Sequence, residues 1–103
     1  MGEDRNFFLI TVDDLRKDRT SLEQERDTTP FLKSFAEENQ YLQNHFSNGP
    51  ASPSSFRSIF TSTYPMEFDD YNYLSGKRPY LPEILSDSGV KTSGISTNPY
   101  VSR

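Results

Sequence analysis

Residues 7–14 read FFLITVDD, and this stretch restricts what the chain can fold into more than any other. Phe7, Phe8, Leu9, Ile10, Thr11 and Val12 are aromatic, β-branched or aliphatic, with no polar alternation. Such a run suits a parallel strand covered on both faces. Asp13 and Asp14 end it with two adjacent carboxylates. In open α/β sheets ligands bind outside the carboxyl ends of the strands, so the pair has the position of a cation site. An Asp pair after a strand is equally ordinary turn chemistry. Both readings stand at this level.

The rest of the composition is lean for such a sheet. Of 103 residues only 32% are hydrophobic, and the mean hydropathy is -0.79. A chain this short is at most one domain, and a stable, complete enzyme of this class is not expected from it. The net charge is -4 with no basic tract, so neither nucleic acid nor an anionic membrane is an expected partner. Cysteine is absent, which excludes disulfides and thiolate metal sites. Neither a signal-like segment nor a transmembrane run is present, and a cytoplasmic location is the default expectation.

Residues 14–27 read as a charged surface crossover whose apolar residues are Leu15 and Leu22. A helix is expected from Thr28, Thr29 and Pro30 to about Asn39, with a threonine cap and Leu32, Phe35 and Ala36 on one face. Residues 41–46 form a second strand candidate containing His45, the only histidine, which as a lone strand residue is left out of the site. The run SNGPASPSS at 47–55 is turn chemistry leading into a helix at about 53–61, with Phe56, Ile59 and Phe60 turned inward. Ser52 before Pro53 is placed to cap that helix. Its hydroxyl either does only this, or lies where helix-end N–H groups and the dipole stabilise an ionised oxygen and an incoming anion. Asp69 and Asp70 belong to a long connection, residues 62–80, and read as solvated. A third helix at 82–88 is stopped by Gly89, and residues 90–96 read as a third strand leading to Thr97, Asn98 and Pro99. The order strand, helix, strand, helix, helix, strand predicts an α/β fold with a parallel sheet.

Taken together, LITVDDLRKDR, TPFLKSFAEEN, FSNGPASPSSFRSIFTSTYP and LPEILSDSGVKTSGISTNPY resemble the amino-terminal part of sulfatases in the alkaline phosphatase superfamily. The resemblance spans most of residues 8–100 in order and spacing. It implies a metal-dependent hydrolase of sulfate or phosphate esters, and an alkaline-phosphatase-like sheet of which residues 1–103 form one amino-terminal segment. Asp13 and Asp14 match the family's two adjacent metal-binding aspartates, with calcium the expected ion and manganese or zinc the alternatives. Counting back from Thr61 and the Tyr64, Pro65 pair, Ser52 matches the nucleophile; with Pro53 taken as the motif's proline that position would instead be Ala51, which cannot act. The sulfatase signature is Cys or Ser, any residue, Pro, Ser, Arg, whereas this chain reads Ser52, Pro53, Ser54, Ser55, Phe56. That departure counts against formylglycine at Ser52 and favours an unmodified serine or a phosphoester-type substrate.

The family's remaining metal ligands lie far downstream of anything in this chain, so the segment by itself is expected to be nearly inactive. A small-molecule sulfate or phosphate ester is the expected ligand. Exposed strand edges would favour pairing with the remainder of the catalytic domain or with a second copy. The competing expectation is a truncated, non-catalytic module with a structural or anion-binding role.

Overall fold

Proline stands at or next to the start of each of the three α-helices in the computed structural model, which describes residues 4–67 and 78–99. Helix α1 is Pro30–Glu38, α2 is Ser52–Thr61 and α3 is Leu81–Asp87, each with a proline in its first two positions. There a missing N–H is harmless and the fixed φ is already helical. A short 3₁₀ turn, Lys17–Arg19, precedes them.

Contacts divide the chain into two compact units, Met1–Asn44 and His45–Arg103. The first is held by side-chain hydrogen bonds around the loop before α1. Ser21 and Thr29 exchange bonds, the Thr29 hydroxyl accepting from Ser21 N–H at 2.9 Å and the Ser21 hydroxyl accepting from Thr29 N–H at 2.8 Å. Thr29 therefore occupies the N-cap position without capping α1 through its side chain. Lys17 Nζ donates to the Gln43 carbonyl at 2.7 Å and lies 3.2 Å from Glu23 Oε1, which also accepts from Tyr41 Oη.

In the second unit α2 packs against α3. Phe56 and Phe60 stack with ring centroids 6.2 Å apart, and Phe60 meets Tyr80, the N-cap of α3, at 6.0 Å. Arg78 is 3% exposed and fastens the turn after α2. Its Nη1 donates to Thr63 Oγ1 at 2.7 Å and to the Tyr64 carbonyl at 3.0 Å, and its Nη2 donates to the Pro65 carbonyl at 2.7 Å.

The α/β expectation is overturned: among the described residues there are three α-helices and no strand. Residues 7–12 are non-helical and without a ladder partner, and Phe7 is 87% exposed. Residues 41–46 contain a turn, and residues 90–96 lie open with Ile95 fully exposed. Strand identity needs a second strand to take up the backbone N–H and C=O groups, and an apolar run does not supply one. The helices stand within about two residues of expectation, because proline and glycine signals act locally. The inward face expected for α2 is corrected: Ser54, Arg57 and Thr61 are its buried residues, whereas Ile59 is 45% exposed. Asp69 and Asp70 lie outside the described residues.

Candidate functional site

Asp13 and Asp14 occupy a turn directly after the extended run, both exposed. Asp14 has φ 56, and its N–H donates to Asp13 Oδ1 at 3.2 Å. Aspartate is among the residues that visit the left-handed region, and here the side chain of the preceding residue takes up the N–H. The strand that was to deliver the pair is absent, so the turn itself sets their geometry. As donors they fit part of a divalent cation's shell, since exposed carboxylates carry the hard oxygens that calcium takes. Two carboxylates give at most four of the six to eight oxygens required. No group of three or more His, Cys, Asp or Glu comes together among the described residues.

Ser52 is the first residue of α2; its N-cap is Ala51, in the extended region at φ -145 and ψ 161. The serine thus stands one position inside the helix instead of capping it. The Ala51 carbonyl accepts from Ser54 N–H at 3.2 Å, Ser55 N–H at 2.9 Å and the Ser54 hydroxyl at 2.9 Å. Pro53 has no N–H to offer. What this end of α2 brings to a negative charge is its dipole, since the N–H groups of the first turn after Pro53 are already bonded.

The loop before α2 is built from hydroxyls that its composition of small residues does not reveal individually. Ser47 Oγ donates to the Gly49 carbonyl at 2.6 Å and lies 2.8 Å from Ser55 Oγ. Ser55 Oγ is also 3.0 Å from the same carbonyl, and Ser47 Oγ accepts from Gly49 N–H at 3.2 Å. A side chain at Gly49 would overlap Ser54 Oγ and Cβ. The glycine, serine and proline content of 47–55 announced a turn but not which hydroxyls would close it. An open polar cavity of about 200 Å³ elsewhere in this unit is lined by Asn48, Ser62, Thr63 and Tyr64.

The two aspartates fall in the first compact unit and Ser52 in the second. His45, left out of the site, is exposed at the start of the second unit. The family model for sulfatases matches residues 5–100, which include Asp13, Asp14 and Ser52. The chain belongs to the sulfatase family. No curated protein and no solved structure is a match.

Proposed function

We propose that the protein is a metal-dependent hydrolase of sulfate or phosphate esters, in which Asp13 and Asp14 hold part of a divalent cation's ligand shell and Ser52 is the nucleophile. The observation that carries this reading is the sulfatase-family match over residues 5–100, a span that includes all three residues. Calcium is the ion best suited to hard, exposed carboxylates, with manganese or zinc as alternatives. When bound, such a cation lowers the pKa of a nearby hydroxyl and neutralises ester oxygens. Ser52 Oγ attacks sulfur or phosphorus, and the ester's alcohol leaves with a proton. Water then cleaves the new bond to Ser52 and restores the hydroxyl. Phe56 in place of the signature arginine favours an unmodified serine.

With two carboxylates supplying at most four oxygens, the 103-residue chain alone has little activity. A non-catalytic role, structural or anion-binding, is the second reading, favoured by the lack of a third converging ligand among the described residues. The full-length protein assayed on aryl sulfate and aryl phosphate esters separates the two. Ser52→Ala is expected to lower turnover roughly 10³-fold or more. Unchanged turnover removes Ser52 from the mechanism. Calcium, manganese and zinc titrations are expected to show binding that Asp13→Asn weakens, and no binding of any of them sinks the metal assignment.

A further inference from the structure

Two backbone carbonyls just before Ser52 in the chain collect hydroxyl hydrogen bonds. The Ala51 carbonyl takes the Ser54 hydroxyl together with two N–H groups. The Gly49 carbonyl, three residues before Ser52, lies 2.6 Å from Ser47 Oγ and 3.0 Å from Ser55 Oγ. The two hydroxyls also meet each other at 2.8 Å, and Ser47 Oγ accepts the Gly49 N–H at 3.2 Å. Two hydroxyl protons therefore serve three contacts, a closed set in which either serine can donate to the carbonyl while the other bridges. Ser55 belongs to the first turn of α2, so the set ties the incoming loop to the helix itself. Gly49 lies so close to Ser54 that no side chain fits between them. Ser47 is the exposed member of the set, whereas Gly49 and Ser55 are half-buried.

We propose that Ser47 is a positioning residue for Ser52, holding through Gly49 and Ser55 the backbone that presents the Ser52 hydroxyl. This rests on the reading of Ser52 as the nucleophile. A loosened loop widens the range of positions the attacking oxygen visits, and catalysis falls steeply with displacement of a reacting atom. Loss of the hydroxyl then lowers kcat more than KM.

The test is made in the full-length protein with aryl sulfate and aryl phosphate esters, using Ser47→Ala, Ser47→Thr, Ser52→Ala and, as a control, Ser34→Ala. Ser34 carries a comparable exposed hydroxyl bond, to the Phe31 carbonyl on α1. Ser47→Ala is expected to lower kcat about tenfold with KM changed less than about twofold. Its melting temperature stays at the wild-type value and exchange of the Gly49 amide accelerates. Ser47→Thr, which keeps the hydroxyl, restores kcat, and Ser34→Ala matches wild type. Wild-type kcat in Ser47→Ala beside an inactive Ser52→Ala overturns the positioning role and leaves the nucleophile standing. A fall in kcat that only follows a lowered melting temperature, or that Ser47→Thr does not restore, overturns it as well. Full turnover in Ser52→Ala, or none in wild type, overturns the nucleophile and the positioning role together.

Discussion

Asp18 accepts two hydrogen bonds from one guanidinium, Arg16 Nε at 3.0 Å and Nη2 at 2.7 Å. The side-chain hydrogen bond from Arg16, aided by its charge and that of Arg19, holds the Asp18 carboxyl below its ordinary value of 3.8. A depressed carboxylate stabilises the fold above the ordinary value, and that contribution is lost as pH falls through the folded-state value. Both side chains are largely exposed, so solvent and salt screen the pair and the effect on stability is small. The titration is the sensitive observable. Followed by the chemical shift of its carboxyl carbon, Asp18 is expected to titrate below 3.8 and to return toward that value in Arg16→Gln. An unchanged midpoint in the variant would show that the fork does not persist in solution.

Helix α2 turns its polar stripe inward. Ser54, Arg57 and Thr61 follow i, i+3 and i+7 spacing and are buried, and the Thr61 hydroxyl donates to the Arg57 carbonyl at 2.5 Å. A hydroxyl that bonds its own helix satisfies itself and needs no partner element. Helix α3 ends by equally local means. Gly89 at φ 82 sends its N–H to the Ser86 carbonyl at 2.9 Å, while Val90 N–H reaches the Leu85 carbonyl at 2.9 Å. These two bonds satisfy carbonyls that the helix end would leave open, and a Cβ at position 89 makes the required conformation costly. Gly89→Ala is expected to destabilise this end by about 1 kcal/mol, read as faster amide exchange at Val90. Nothing lies within 4 Å of a Cβ at this position, so backbone strain and not crowding is what the measurement reports.

Across the described residues the buried positions are polar, namely Thr20, Ser21, Ser54, Arg57, Thr61 and Arg78, together with Pro65; no aliphatic or aromatic side chain is buried. A hydrogen bond contributes about 0.5–1.5 kcal/mol net, because water competes for both partners. Full apolar burial, the dominant favourable contribution in most folds, is missing among the described residues, where Leu22, Leu32, Phe56, Phe60 and Leu85 are half-buried. The described residues therefore have little further apolar surface to expose on unfolding. The urea transition of the 103-residue chain, followed by far-ultraviolet circular dichroism, is expected to be broad, with a slope below about 1 kcal/mol/M. A steep transition would mean that residues 7–12 and the other bare apolar runs are covered in solution.

The three helices were readable from sequence alone, because Pro30, Pro53, Pro82 and Gly89 act through their own backbone restrictions, which need no distant partner. Family membership was readable too, since it lies in the order and spacing of residues along the chain. The extended runs were not. Residues 7–12 have every local qualification for a strand, yet a strand exists only where another chain segment accepts its hydrogen bonds. The candidate site divides in the same way. Asp13, Asp14 and Ser52 stood out as candidates by type and position, and a turn at the aspartates was already one of two readings, but only the structure chose the turn, moved Ser52 one place into α2 and closed the Ser47, Gly49 and Ser55 contacts. Hydroxyls have short reach and many possible partners, so which of several serines meet is decided by the path of the backbone and not by their spacing in the chain.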